Sequence, residues 1–224
     1  MKLRFNMALL AVLCLALSAS AFAGAIFDDG PVGNGNPPAV YIDGPNPGPY
    51  SQSISDGFTA TGSGTANYMT VGLWVPGGQF PTTLSWSLGT TVFGADISSG
   101  ISTDFSYSLV TSNIGGWGYD LYTATITGLS GNFTAGDTYY LTLGNANDSG
   151  SDQQVAWDVN NGPASCSWAT SGVNQGDCGS PYGGETFALY SGSTGGTVPE
   201  PSSLLLLGSG VLALAGLVRR RIGL

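Results

Sequence analysis

Apolar and polar residues alternate with a period of two through most of the interior of the chain. Successive side chains of a strand point to opposite faces, so this period predicts β-strands rather than helices. Seven such runs are led by Met69, Val71, Leu73 and Val75; Leu84, Trp86 and Leu88; Phe105, Tyr107 and Leu109; Leu121, Thr123 and Thr125 (alternating with Tyr122, Ala124 and Ile126); Tyr139, Leu141 and Leu143; Val155, Trp157 and Val159; and Phe187 and Leu189. Glycine, proline, Asn and Asp separate the runs at intervals typical of an antiparallel sandwich. The pattern predicts an all-β, two-sheet antiparallel β-sandwich with a jelly-roll-like topology over residues 24–190.

Two segments at the edges of this domain lack the alternation. Residues 30–50 carry half of the chain's prolines, and because proline fixes φ and lacks an N–H group, an extended, loop-rich segment is expected there. Residues 191–198 are rich in Gly, Ser and Thr and predict a flexible linker.

The first 23 residues have the three parts of a secretory signal peptide. These parts are a basic start, an apolar run and a small-x-small cleavage site, formed by Lys2 and Arg4, Met7–Leu17, and Ala21-Phe22-Ala23. Cleavage is expected after Ala23, with Ala25 as the alternative, and an uncleaved membrane anchor is the competing interpretation.

The other end of the chain has three features in a fixed order. Val198-Pro199-Glu200-Pro201 is followed by an apolar run, 202–218, and then by Arg219, Arg220 and Arg221. As a helix the run would span ~25 Å, slightly less than a hydrocarbon core of ~30 Å, and arginine side chains can reach across the difference. The sequence therefore predicts one transmembrane helix with the arginines on the cytoplasmic side and the β-domain outside.

This C-terminus resembles the PEP-CTERM sorting signal of exported bacterial proteins. The residues that carry the likeness are Pro199, Glu200 and Pro201, the Leu204–Leu207 run and Arg219–Arg221. The resemblance implies a Gram-negative source, recognition of the tail (199–224) by an exosortase that cleaves it, and a link to secreted exopolysaccharide. The resemblance concerns the export and sorting of the protein and assigns no activity to the domain.

The distribution of charge excludes several classes of function. The formal net charge is −9, and from Phe5 to Val218 the chain has no Lys, Arg or His. Nucleic-acid binding depends on Lys and Arg, so a nucleic-acid partner is excluded. Without His or Lys there is no Ser-His-Asp apparatus, no His-bound metal and no Schiff base. The kinds of functional site that this composition still allows are a pair of catalytic carboxylates or a Ca²⁺ site.

Two of the three cysteines remain after signal cleavage, because Cys14 lies within the signal. Cys166 and Cys178 are twelve positions apart, and an exported domain with two cysteines predicts one disulfide between them. Two separate free thiols are the alternative.

A polar loop, Asn145–Asp152, is the candidate Ca²⁺ site, with Asn147, Asp148 and Asp152 as oxygen ligands. It resembles the start of an EF-hand loop, but Ala156 occupies the position of the bidentate Glu. A solvated polar turn is the competing interpretation, and no other cofactor is expected.

Aromatic residues in Gly- and Ser-rich segments are candidates for carbohydrate binding: Trp117, Tyr119, Trp168 and Tyr182. Trp86 and Trp157 alternate with aliphatic residues and are expected in the core. Hydrolysis would need Glu185, the only glutamate of the domain, and a facing carboxylate from Asp120 or Asp158.

The sequence thus predicts a non-enzymatic protein of the cell surface or exopolysaccharide matrix. It would be exported, held first at the inner membrane with its domain on the periplasmic side, and sorted by an exosortase. The alternative function is a lectin-like carbohydrate-binding module that uses loop aromatics and Ca²⁺. A carboxylate-pair glycosidase is a third hypothesis.

Overall fold

The computed structural model describes residues 24–33, 39–42, 52–104, 106–150, 155–160, 165–170, 173–177 and 184–192. All of these residues lie within one compact unit of the chain, Gly24–Thr194. In the described stretches the regular structure consists of thirteen strands and one 3₁₀ turn, Ile114–Gly116, without an α-helix. The prediction of an all-β fold is confirmed.

The strands are numbered here in the order in which they follow one another along the chain. They are β1 (Ala25–Asp28), β2 (Val40–Tyr41), β3 (Gln52–Thr59), β4 (Gly64–Pro76), β5 (Pro81–Gly89), β6 (Ser98–Ser102), β7 (Ser106–Thr111), β8 (Tyr119–Phe133), β9 (Thr138–Asp148), β10 (Ala156–Trp157), β11 (Ser165–Thr170), β12 (Val173–Asp177) and β13 (Phe187–Tyr190).

The larger sheet has seven strands arranged around the long strand β4. One edge of β4 pairs with β8, which pairs in turn with β7. The other edge pairs with β13 in its first half and with β10 in its second half, and these two strands pair with β1 and β2. All of these pairings are antiparallel.

The partner strands of β4 change at Gly72. Its N–H donates to the Thr186 carbonyl at 3.1 Å, and its carbonyl accepts from the Asp158 N–H at 2.9 Å. A β-carbon at this position would overlap the Thr186 hydroxyl and lie 2.8 Å from Asp158 Cβ. Glycine is therefore required here because two segments approach the strand closely.

The smaller sheet has six strands in the order β12-β11-β3-β9-β5-β6, all antiparallel to their neighbours. Strand β3 lies inside this sheet, between β11 and β9. Its residues Ile54 to Phe58 are all buried, which fits a central strand covered on both faces.

A single large hydrophobic core joins the two sheets, which gives the fold its sandwich-like character. Apolar side chains from β4, β8 and β13 of the larger sheet belong to the same cluster as those from β3, β5 and β9 of the smaller one. Phe27 and Phe187 of the larger sheet contact Phe58 of the smaller sheet, with ring centroids 4.8 and 5.2 Å apart. Burial of each such side chain contributes roughly 1.5–3 kcal/mol.

Most of the alternating runs form strands, and their apolar positions are buried. Val71, Leu84, Leu141 and Phe187 are fully enclosed, and Trp157 has no exposed surface. Trp86 is 6% exposed, so both tryptophans expected in the core are there.

The run that contains Tyr107 and Leu109 forms strand β7 but is not buried. All six of its residues are exposed, because β7 is an edge strand that pairs only with β8 among the described strands. Alternation therefore identified the strand there without identifying a core face. Phe105 lies outside the described residues.

Within the described part of the chain, no helix has the length and hydropathy that a membrane crossing requires. The segment predicted to cross the membrane, 202–218, lies outside those residues.

Candidate functional site: buried carboxylates and exposed aromatic rings

Two of the four predicted carbohydrate-binding aromatics are brought together around Trp74. Trp117 follows the 3₁₀ turn and is 59% exposed, with its ring 6.0 Å from that of Trp74. Tyr119 begins β8, and its ring lies 6.4 Å from the same tryptophan. The side chain of Trp168, on β11, and the whole of Tyr182 lie outside the described residues.

A second pair of exposed rings was not identified from the sequence. Phe80 and Tyr107 are 44% and 42% exposed and stack with their centroids 6.0 Å apart. Tyr122 meets Tyr107 edge-on at 5.5 Å. Stacked rings that face solvent offer the flat apolar surface that sugar rings contact, but such surfaces also occur singly without a function.

A surface cleft of about 300 Å³ lies over β1, β4 and β13. Its polar lining comes from Asp28, Thr70 and Tyr190, and its apolar lining includes Val32 and Phe187. This volume is at the small end of ligand pockets.

The predicted Ca²⁺ ligands Asn147 and Asp148 lie at the end of strand β9 rather than in a loop. Asn147 Nδ2 donates to Thr83 Oγ1 at 2.6 Å, across the β5–β9 ladder. Asp148 is buried, and its Oδ1 accepts from the Gly150 N–H at 2.8 Å. Asp152 lies outside the described residues. Asn147 and Oδ1 of Asp148 therefore already have hydrogen-bond partners in the sheet and in the turn that follows it, whereas Oδ2 of Asp148 is buried without a partner in the described residues.

The remaining predicted site residues fall mostly outside the described part of the chain. Cys166 lies on β11, where its backbone is opposite Asp56 of β3, whereas Cys178 is not described. The signal cleavage site at Ala21 and Ala23 is not described either. The same holds for the sorting residues Pro199, Glu200, Pro201, Arg219, Arg220 and Arg221. The disulfide, the signal cleavage site and the roles of the individual sorting residues remain predictions.

Glu185 was considered for hydrolysis together with Asp120 or Asp158. In the structure the carboxyl groups of Asp120 and Asp158 accept hydrogen bonds from other residues. Asp120 holds a surface turn by accepting from the Gly78 and Asn113 N–H groups at 3.0 and 2.9 Å. The acidic neighbour of Glu185 is instead Asp56, which the sequence did not single out and whose Oδ2 accepts from the Glu185 N–H at 2.8 Å.

Asp158 is buried but well supplied with hydrogen-bond donors. Its Oδ1 accepts from the Trp74 indole N–H at 2.6 Å, and its Oδ2 accepts from the Gly33 N–H at 2.9 Å and the Thr186 hydroxyl at 3.3 Å. Burial raises the pKa of this carboxyl, and the three hydrogen bonds work in the opposite direction. Asp158 therefore ties four segments of the domain together as a structural carboxylate.

Three other acidic side chains, Asp29, Asp56 and Glu185, are buried. Asp56 lies in β3, Asp29 directly follows β1 and Glu185 lies two residues before β13, and each stands two residues from a phenylalanine. The pairs are Asp29 with Phe27, Asp56 with Phe58, and Glu185 with Phe187. These three phenylalanines contact one another, with ring centroids 4.8 to 5.2 Å apart. The acidic residues thus lie beside an aromatic cluster that joins the two sheets, and they are called the carboxylate cluster below.

The carboxylate cluster has few hydrogen-bond donors. Asp56 and Glu185 have no exposed surface, and Asp29 is 6% exposed. The Glu185 N–H donates to Asp56 Oδ2 at 2.8 Å. Five buried oxygens accept from no donor of the described residues: both of Asp29, Oδ1 of Asp56 and both of Glu185. Buried polar atoms are almost always paired, so five in one place require a physical explanation.

Electrostatics at the carboxylate cluster favour the neutral form of each acid. Burial, followed by the nearby Asp56 charge, raises the pKa of Asp29 to about 7, while the Asn160 amide acts against this shift. Burial raises the pKa of Asp56 to about 6. Burial, and then the Asp56 charge, raise the pKa of Glu185 well above its usual value. The carboxyl groups of Asp56 and Glu185 are in contact and can share one proton, so they titrate as a pair.

The backbone around the carboxylate cluster is fixed by the sheets. The Asp29 N–H donates to the Phe187 carbonyl at 3.0 Å, which extends the β1–β13 ladder by one residue. Asn160 donates through its side-chain amide to the Asp29 carbonyl. Glu185 forms an isolated bridge with Val159. The acidic side chains are therefore held in place by strand pairing rather than by their own polar contacts.

A sequence signal for this cluster existed in strand β3. In Gln52–Thr59, Ile54 and Phe58 mark the inward phase, and Asp56 occupies the position between them. The Asp interrupts the apolar alternation, and the strand was missed for that reason. The segments Phe27-Asp28-Asp29 and Glu185-Thr186-Phe187 show the same two-residue spacing.

Comparisons with known proteins identify the C-terminal end of the chain. The family model of the PEP-CTERM protein-sorting motif matches residues 197–221. The predicted resemblance is thereby confirmed, and the motif implies exosortase-dependent sorting of an exported protein. No curated protein and no solved structure matches the chain.

Proposed function

We propose, from the PEP-CTERM motif at residues 197–221, that this is a non-enzymatic protein of the bacterial cell surface or exopolysaccharide matrix. In this proposal the signal peptide, 1–23, is removed on export, and helix 202–218 holds the chain at the inner membrane. An exosortase then cleaves near Pro199–Pro201 and releases the β-domain to the outside.

Two observations support the non-enzymatic part of this proposal. From Phe5 to Val218 the chain lacks His, Lys and Arg, so most general bases and electrophilic groups are missing. Asp56 and Glu185, the acidic pair in contact, are fully buried beside the core phenylalanines. A glycosidase needs two carboxyl groups that face a bound sugar across a cleft, and this pair faces the inside of the domain.

The sorting step can be tested in the producing bacterium by fractionation and intact-mass measurement. Wild-type protein is expected outside the inner membrane, with its N-terminus at Gly24 and without Arg219–Arg221. A Glu200→Ala variant should remain full length after signal removal and stay in the membrane fraction. Ser193→Ala, in the linker outside the matched residues, is the control and should behave as wild type. Wild-type protein recovered outside with its arginines intact would contradict cleavage of the tail.

A lectin-like module is the second candidate function, and the exposed rings favour it. Trp117, Phe80 and Tyr107 present aromatic surface to solvent at two places. Co-sedimentation with the producing cell's own exopolysaccharide would test this candidate. Trp117→Ala and Tyr107→Ala should each weaken binding if the rings carry it, whereas Asp137→Asn, an exposed change elsewhere, should not. Binding that neither ring variant changes would exclude these two surfaces.

A further inference from the structure

The cleft over β1, β4 and β13 lies on the face of the larger sheet that points away from the core. Met69 and Val71 of β4 are fully buried in the core. Because side chains alternate along a strand, Thr70 between them points to the outer face. Thr70 lines the cleft together with Ala188 of β13, its partner in the ladder. These two residues form the floor of the cleft.

Two different parts of the chain border this floor. On one side, Tyr190 and Tyr68 are the next outward pair of the β13–β4 ladder, and their rings stack with centroids 4.8 Å apart. On the other side, the next outward residue of β4 is Gly72, and Val32 covers it. A β-carbon at Gly72 would lie 2.9 Å from Val32 Cγ1. The cleft therefore has an aromatic wall and an aliphatic wall, to which Tyr190 and Val32 contribute.

Polar side chains converge on the cleft. Asp28, at the end of β1, pairs with Ala188 and is exposed. Its Oδ1 accepts from the Gly30 N–H at 2.9 Å, which orients the carboxylate. Burial, and then the Asp28 charge, raise the pKa of Tyr190, while a side-chain hydrogen bond with Thr70 acts in the opposite direction. A carboxylate, a threonine hydroxyl and a tyrosine hydroxyl are therefore neighbours in the lining.

The polar floor continues beyond the cleft to the edge of the sheet. Thr70 pairs with Thr125 of β8, and Thr125 pairs with Ser106 of β7. Paired residues point to the same face, so Asp28, Ala188, Thr70, Thr125 and Ser106 form one row across five strands. Adjacent strands are ~4.8 Å apart, so the row is ~19 Å long. The strands beneath it are hydrogen-bonded to one another, so a ligand on the row meets side chains.

We propose that this cleft, with the row that extends it, binds a neutral oligosaccharide that lies across the strands with one sugar ring in the cleft. Thr70, Tyr190 and Asp28 exchange hydrogen bonds with the sugar hydroxyls, since hydroxyl groups both donate and accept and a carboxylate accepts. The cleft volume of about 300 Å³ suits one ring rather than a large ligand. The proposal rests on the lectin-like candidate function and gives it a site other than the exposed rings.

The chemistry of the row selects the class of ligand. From Phe5 to Val218 the chain has no Lys, Arg or His, so no side-chain cation of the domain attracts an anionic sugar, and the Asp28 carboxylate repels one. A peptide that binds a sheet adds a strand at an open edge or inserts side chains into apolar pockets. This row instead crosses the strands and carries hydroxyl groups. A neutral sugar chain, whose hydroxyl groups recur on every ring, matches it.

The test is titration calorimetry of the protein purified from the producing cells, with hexasaccharides as probes. Cellohexaose, mannohexaose and maltohexaose are neutral, and hexamannuronate is anionic. At least one neutral hexasaccharide should bind. Hexamannuronate should bind more weakly by about 10-fold or more, because the Asp28 carboxylate repels it.

Two variants locate the ligand. Thr70→Val keeps a β-branched side chain in the strand and removes the hydroxyl, so it should weaken neutral binding about 3- to 10-fold. Asp28→Asn keeps an oxygen for the Gly30 N–H and removes the charge, so it should narrow the difference in affinity between neutral and anionic probes. Thr138→Val makes the first change at an exposed position of β9 in the other sheet and should alter neither affinity. Thermal unfolding checks that each variant is folded.

Three results would overturn the proposal. One is wild-type protein that binds none of the neutral hexasaccharides, and co-sedimentation with the cell's own exopolysaccharide then decides separately whether the lectin-like function stands. Another is neutral binding that both Thr70→Val and Asp28→Asn leave unchanged. If Trp117→Ala abolishes that binding, the lectin-like function stands and its site is at the exposed rings. The last is hexamannuronate that binds as tightly as the neutral probes.

Discussion

Asp158 and the carboxylate cluster are both buried, yet the fold treats them differently. Asp158 accepts three hydrogen bonds, from Trp74, Gly33 and Thr186. In the cluster of Asp29, Asp56 and Glu185, one backbone N–H, that of Glu185, donates to a side-chain oxygen, and Asp56 and Glu185 otherwise face each other's carboxyl groups. A buried carboxylate is stable when fixed donors replace the water it has lost. The comparison shows that burial alone does not decide a carboxylate's role, and that the number of donors separates a structural acid from an acid that needs a proton or an ion.

The largest expected effect comes from making the same isosteric change in both regions. Asp158→Asn places an amide NH₂ where at least one donor already points, so the unfolding free energy should fall by about 3 kcal/mol. Asp56→Asn keeps an oxygen for the Glu185 N–H and gives Glu185 a donor. Without added cation, Asp56→Asn should therefore leave stability unchanged or raise it. Urea unfolding at pH 7.5 in EGTA measures both free energies.

The contrast between these two variants is what the experiment tests. A loss of similar size for Asp56→Asn and Asp158→Asn would mean that the carboxylate cluster is as well satisfied as Asp158. The comparison would then fail. Circular dichroism of both variants checks that each retains the β-fold.

The next effect is the response of stability to pH without divalent cations. The folded-state pKa of Asp29 is raised to about 7 and that of Asp56 to about 6, above the usual value of 3.8, and the Glu185 pKa is also raised. Between pH 3.8 and about pH 7 the folded protein binds more protons than the unfolded chain. The unfolding free energy must therefore increase as the pH falls through this range. The unfolding free energy at pH 5 should exceed that at pH 8 by about 2–3 kcal/mol in EGTA.

Variants show which region causes this dependence on pH. Asp28 is the further acidic residue whose charge acts on the cluster, and no basic side chain of the domain opposes the effect. Glu185→Gln should reduce the slope between pH 8 and pH 5, while Asp120→Asn should not alter it. Stability that falls steadily from pH 8 to pH 5 would show that these acids are ionised and paired in the folded protein.

The sequence predicted the core strands well because their inward positions are uniformly apolar. The strands that contain Val71, Leu84 and Leu141, and the burial of these residues, could be predicted from the local alternation alone. It missed β3 because Asp56 lies on the inward face, where an acidic residue contradicts the simplest rule of alternation. It could not identify Asp56 as the acidic neighbour of Glu185, since contacts between residues more than a hundred positions apart depend on how the two sheets pack. The sorting motif was predictable because its information is local and linear.

The smallest effect tests whether burial or donor number sets the importance of an aspartate. Asp120 accepts two backbone hydrogen bonds, from Gly78 and Asn113, but is only partly buried. Water can replace a lost partner there, so Asp120→Asn should lower the unfolding free energy by only about 0.5–1 kcal/mol, against about 3 kcal/mol for Asp158→Asn. Urea unfolding of both variants under one condition measures the difference. Equal losses would show that hydrogen-bond donors matter irrespective of solvent access. A loss confined to Asp158→Asn would show that a carboxylate needs hydrogen-bond donors once water is excluded. The carboxylate cluster is also buried, but it lacks those donors.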